Sequence, residues 1–271
     1  MQRQPKVKFE QVKVIKGGAY NKHIILADAN VPSKLSIDRL SNTLFFCINA
    51  DEFSDQSFHL VVLDLDTGLN AIIPGIQNGF ASAVEPEGAV YLGGSDGIFE
   101  FNYRTFDVYR PAILSGVDIF DMYFHKYLYF VETATQNLFV WKNGGKTSIK
   151  ELNGYGIQHF LLNNFEDILF VNSSGVYMLR KGTTIPITFG GASTVAHFRG
   201  MTADINGLPY LIAQDGIYTI DMAQRHVVKT IPMENIFGLA FDKDNNMVYS
   251  DERSVVKLIR QHNPVFVNKN F

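Results

Sequence analysis

Phe80, Phe120, Gln158, Arg199 and Phe237 share a position in the chain. Each stands five residues ahead of a recurring turn residue, respectively Glu85, His125, Asn163, Asp204 and Asp242. Ser33 holds the same place before Asp38, and His159 and His197 lie one or two residues out of this register. These residue types suit a flat, acidic ligand. Phenyl faces stack on a fused aromatic system, and a guanidinium holds a carboxylate through two parallel hydrogen bonds. We take Phe80, Phe120, Gln158, His159, His197, Arg199 and Phe237 as the candidate ligand-binding set. Each Phe also has a plain packing reading, because apolar residues that open inner strands join neighbouring repeats. Arg199 is harder to explain by packing alone, since a guanidinium near a channel needs a partner.

No catalytic set accompanies them. The chain lacks G-x-S-x-G, H-E-x-x-H, a P-loop and a G-x-G-x-x-G between strand and helix. Gly93-Gly94-Ser95-Asp96-Gly97 is glycine-rich but reads as a hairpin turn. Asp118 and Asp121 are the acidic residues nearest the candidate set, and two carboxylates make a sparse calcium shell. No metal and no cofactor is expected.

The elements that would position the set form a repeat. Six aromatic or β-branched strands recur: 43–47, 90–93, 128–131, 168–171, 210–213 and 248–251. The turn residues before them are spaced by 47, 40, 38, 41 and 38 residues. A period near 40 without helical patterning predicts an all-β, six-bladed β-propeller of four-stranded blades. Ser95-Asp96-Gly97, Ser173-Ser174-Gly175 and Gln214-Asp215-Gly216 repeat at the turn into the third strand, where a Gly is expected to supply positive φ. Fourth strands are expected at 69–73, 107–109, 148–151, 185–188 and 227–231.

The sixth repeat lacks a fourth strand of its own. His23-Ile24-Ile25-Leu26 is expected to supply it by pairing near Val255 to Leu258, with Pro264-Val265-Phe266-Val267 as the competitor. The whole chain then reads as one propeller domain, with 1–20 an N-terminal extension and 261–271 a tail. The candidate set falls at the face where each inner strand begins, ringing the central channel. The insertion Asn49 to Phe58 is expected over the same face, either as a wall of the site or as a solvated loop.

Bulk properties agree with a packed β domain. Hydrophobic residues make up 46% of the 271 and charged residues 19%, so a large core is expected. A net charge of −3 gives no sign of a nucleic-acid partner. No apolar run approaches the roughly 18 residues of a membrane span. The opening MQRQPKVKFEQ has no apolar core, so no signal peptide is expected in this chain. Its lysines alternate with apolar residues like one solvated face of a strand. Cys47 stands alone in Leu44-Phe45-Phe46-Cys47-Ile48 and reads as a buried thiol. Asn172-Ser173-Ser174 is a glycosylation sequon.

The strings Asn42 to Phe46, Ile72 to Ile76, Tyr91 to Ile98, Asn172 to Gly175, Phe198 to Gly200 and Gln214 to Tyr218 resemble those of lepidopteran ommochrome-binding proteins, in the same order over roughly residues 20 to 260. The resemblance implies a secreted haemolymph glycoprotein that carries a tryptophan-derived phenoxazinone pigment such as xanthommatin, with no enzymatic activity. It carries over no binding residue. Two other classes stay open: a calcium-dependent lactonase or esterase on a similar propeller, and a protein-interaction propeller.

Overall fold

The computed structural model describes residues 10–15, 18–191 and 197–260. The same apolar alternation that marks the repeat builds six antiparallel sheets. Blade one is Ser33–Asp38, Thr43–Asn49, Phe58–Asp64 and Asn70–Ile72, and the pattern recurs through blade five, which ends at His226–Pro232. Inner strands touch their neighbours in sequence order, and blade six touches blade one, so the ring is closed. The six-bladed all-β propeller is therefore observed. Among the described residues the helical exception is one 3₁₀ turn, Lys150–Leu152.

Blade six takes Gly238–Phe241, Met247–Ser250 and Val255–Arg260, then Gly18–Leu26 from the N-terminus. Ile24 pairs with Val256 and Lys22 with Leu258. Glu10–Ile15 adds a fifth strand outside it. The competing segment 264–267, and most of the lysine-rich start, lie outside the described residues. Deleting residues 1–28 is expected to bare the Val255–Arg260 edge and cause aggregation on size-exclusion chromatography. A soluble monomeric deletion would show that the edge is covered in another way.

Packing explains why the second strands are apolar at every position. Consecutive side chains point to opposite faces, and in a propeller both faces of a blade are covered. Phe45 and Cys47 pack with Leu92, Phe99 and Phe101 of blade two. Phe46 and Leu44 pack with Ala240 and Val248 of blade six. Six such cores join the six pairs of neighbouring blades. Cys47 is fully buried, and that burial pushes its thiol up to about 11. It is an inert packing group at neutral pH.

The acidic turn residues are consumed locally. Asp204 Oδ1 accepts from the Asn206 and Leu208 amides, each at 2.9 Å, and Asp242 Oδ1 does the same from Asp244 and Asn246. Asn163 repeats the device with Phe165 and Asp167. Such caps replace the backbone bonds a tight turn leaves open.

Three details differ from the sequence reading. Gly97, Gly175 and Gly216 have the expected positive φ, but they stand just after their turns: Asn172 pairs with Gly175 and Ala213 with Gly216, leaving two-residue turns with negative φ. Gly97 has φ +141°, and a Cβ there would lie 2.0 Å from the Leu114 carbonyl oxygen. Both that φ, which L side chains rarely adopt, and the close approach of the next segment demand glycine there. The outer strand of blade three is Gly145–Ser148, earlier than expected, because the chain turns into the 3₁₀ helix immediately afterwards. At the sequon, Asn172 Nδ2 already donates to the Tyr155 carbonyl at 2.8 Å, and its Oδ1 caps the hairpin.

Candidate functional site

The six inner strands enclose a cavity of about 650 Å³ along the ring axis. That lies within the range of small-molecule sites. Its walls run from Lys34, Asp121, His159, Arg199 and Phe237 to the turns around Arg39, Glu85, Lys126 and Ile205. One end is thus a layer at the start of the inner strands. The other end is formed by the turns between first and second strands, where Arg39, Leu40, Lys126 and Ile205 are exposed.

Backbone irregularities build the polar layer. Register breaks between Ser33 and Ser36, between Ile119 and Asp121, and between Phe198 and Gly200, at matching levels of blades one, three and five. A bulge re-aims a side chain that strict alternation would send elsewhere. Lys34, at φ +54°, sits in the first of these breaks. A non-glycine residue there carries strain of order 1 kcal/mol or more that the surroundings must hold.

Lys34 reaches across the channel. Its Nζ lies 3.0 Å from Asp121 Oδ1 and 3.3 Å from His159 Nδ1, while Asp121 Oδ2 is 3.4 Å from the same ring nitrogen. The three side chains are 10%, 15% and 8% exposed. The ammonium also lies 5.3 Å from the Phe80 ring centre and 4.8 Å from that of Phe120. A desolvated cation gains from such ring faces. Burial alone would raise the Asp121 carboxyl, but Lys34 and then His159 outweigh it and hold it below the ordinary carboxylate range. Burial and the neighbouring Lys34 charge draw His159 down from its ordinary value. The cluster is therefore a Lys⁺–Asp⁻ pair beside a neutral imidazole.

Arg199 is arranged differently. Its Nη1 donates to the Ile236 carbonyl at 3.0 Å, and its guanidinium lies 4.1 Å from the Phe237 ring centre. Among the described residues it forms no ion pair. Burial draws its pKa down. The group stays charged, and among the described residues most of its donors are uncommitted.

Of the seven candidate residues, the structure brings His159, Arg199 and Phe237 to the cavity wall. Phe80 and Phe120 lie just off it. Their ring centres are 5.7 Å apart, and Phe58 extends the row at 4.7 Å from Phe80. They back Lys34 rather than line the lumen. Gln158 is half-buried, with its backbone N–H on the Val171 carbonyl, and His197 is exposed at the surface. Asp118 is exposed too. The loop from Asn49 to Phe58 bonds sideways to blade two, through Ser57 N to Asn78 Oδ1 and Asn78 N to Gln56 Oε1. Its tip, Phe53, is 98% exposed, and the loop contributes nothing to the cavity wall.

Counting residues missed Lys34. The bulge adds a residue to blade one, so the fixed offset points to Ser33 instead. Among the described residues, no three His, Cys, Asp or Glu side chains cluster closely enough to hold a metal ion.

No protein-family model matches the chain. It is similar to the ommochrome-binding protein of Manduca sexta, with 31% identity over 251 residues covering 91% of this chain and 90% of that one. A gluconolactonase from Xanthomonas campestris superposes with a TM-score of 0.73 at 8% identity, over 96% of this chain and 99% of its own. A regucalcin from Agrobacterium tumefaciens, described as a calcium-binding protein, gives 0.67 at 12% identity, over 94% and 97%. At such identities the two structures share the fold alone.

Proposed function

The chain belongs to the ommochrome-binding protein family, and from that membership we propose that it is a non-enzymatic carrier holding an ommochrome, a phenoxazinone pigment such as xanthommatin, in the central channel. The observation that carries this reading is Arg199: a half-buried guanidinium without an acid partner among the described residues, stacked on Phe237 at the inner end of the cavity. A carboxylate on a flat conjugated ligand satisfies both features at once, charge by the fork and surface by the ring. Secretion into insect haemolymph is part of the same proposal and rests on the family resemblance. No described helix is long and apolar enough to cross a membrane.

A lactonase of the calcium-dependent kind needs three or more oxygen ligands converging on the channel. Asp121 is the carboxylate at the polar layer, and its two oxygens face Lys34 and His159. The chain's own ammonium thus occupies the place beside that carboxylate where a cation would sit, which favours binding over metal-assisted hydrolysis. Adding purified protein to xanthommatin is expected to produce a saturable visible-band shift and co-elution, both indifferent to EDTA. Neither effect at micromolar concentrations, or lactone hydrolysis abolished by EDTA, would overturn the proposal.

A further inference from the structure

The charges around the cavity nearly all have partners. Lys34 pairs with Asp121, Lys126 pairs with Glu166, and Glu85 accepts from the Tyr91 hydroxyl. Asp38 and Asp204 are absorbed by their own turns. Two guanidiniums are left over. Arg199 stands at the polar layer, and Arg39 stands at the opposite end, in the turn between the first two strands of blade one. Among the described residues neither forms an ion pair.

Among the described residues, both arginines are tethered to the same wall by a single N–H. Arg199 Nη1 donates to the Ile236 carbonyl at 3.0 Å, and Arg39 Nε donates to the Phe241 carbonyl at 3.1 Å. Five residues of extended chain separate these anchors by roughly 16 Å, at about 3.3 Å per residue. Between the two ends, Tyr123 lines the cavity with a hydroxyl that has no hydrogen bond among the described residues, although its phenol feels the Arg39 charge. His125 Nδ1, on the same strand, is buried without a partner there.

We propose that the channel grips an elongated dicarboxylate, with one carboxylate on Arg199 in its depth and a second on Arg39 at the mouth formed by the strand-one-to-two turns. Arg39 is then the residue that selects two-ended acids over one-ended acids. The inference rests on the reading of the channel as the pigment site. It adds the ligand's charge pattern and its direction of entry.

The test compares dissociation constants for xanthommatin, which has two carboxylates, and for a phenoxazinone bearing one. Wild-type protein is expected to prefer the dicarboxylate by about tenfold, the scale of one charge-assisted hydrogen bond at a partly exposed site. In Arg39→Gln that preference should fall to near unity, with circular dichroism unchanged. A preference that survives Arg39→Gln overturns the clamp. Arg199→Ala separates the two failures. If it is silent toward both ligands, the channel is not the site. If it weakens binding while Arg39→Gln leaves the preference intact, the site stands and the two-ended grip falls.

Discussion

Arg199→Ala is expected to weaken xanthommatin binding by about 10- to 150-fold while the propeller stays folded. That is the scale of a charge-assisted hydrogen bond lost from a partly buried site, roughly 1.5–3 kcal/mol. In the free protein Arg199 contributes one hydrogen bond to the Ile236 carbonyl and a stack on Phe237. Losing those should cost stability only modestly. Arg199→Lys should recover part of the affinity, because a point charge cannot make two parallel bonds to a carboxylate. Visible-band titration reads the affinity, and a melting curve reads the fold. If Arg199→Ala unfolds the protein, and a carboxylate-free analogue binds wild type as well as xanthommatin does, the residue is a strut and the pigment is held elsewhere.

The second large effect lies in the Lys34–Asp121–His159 cluster. Asp121→Ala removes the partner of an ammonium that is 10% exposed. Breaking a buried pair from one side typically costs about 3–5 kcal/mol, because the other charge remains. Replacing both ends, as in Lys34→Met with Asp121→Leu, should restore much of the loss. The pH dependence has a definite sign. Asp121 and His159 both have folded pKa values below their ordinary ones. The unfolded chain therefore binds protons first as the pH falls. The stability these groups contribute is complete above about 6.5, begins to fail as the unfolded imidazole charges, and fails further below about 4 as the unfolded carboxyl protonates. Wild-type denaturant midpoints should fall as the imidazole charges, while the gap to Asp121→Ala, whose imidazole has lost the carboxylate that favours its charged form, should narrow only below about 4 as the Asp121 carboxylate protonates. A neutral-pH loss under about 1 kcal/mol, or a gap that fails to narrow below about 4, would contradict this picture of the cluster.

The sequence made the propeller legible because its signals are local and repeated. Turn residues such as Asp204 and Asp242 cap their own hairpins, so their spacing reports the blade period directly. The closing strand was readable from a deficit: blade six had three strands of its own, and Ile24 with its neighbours supplied the fourth. The site was less readable, for a geometric reason. A fixed offset from each turn assumes unbroken alternation, and the strands carrying Lys34, Asp121 and Arg199 all break it. In blade three the count lands on Phe120, which packs beside the channel, while Asp121 lines it. In blade one it lands on Ser33, and Lys34 turns inward. A Lys at positive φ has no reliable signature in a single sequence, so the cation spanning the channel emerged only with the backbone.

The cavity's orientation was equally hidden. Loops at the start of the inner strands looked like the natural rim, yet the cavity extends from that layer toward the opposite turns, where Arg39 waits. The claim that a pigment lies along this axis is tested most directly by a crystal structure of the protein grown with xanthommatin. One pigment is expected inside the ring, with a carboxylate on the Arg199 guanidinium, its plane against Phe237, and its far end toward Arg39. Pigment density outside the ring, for example under the exposed Phe53 of the blade-one loop, with an empty channel, would contradict it.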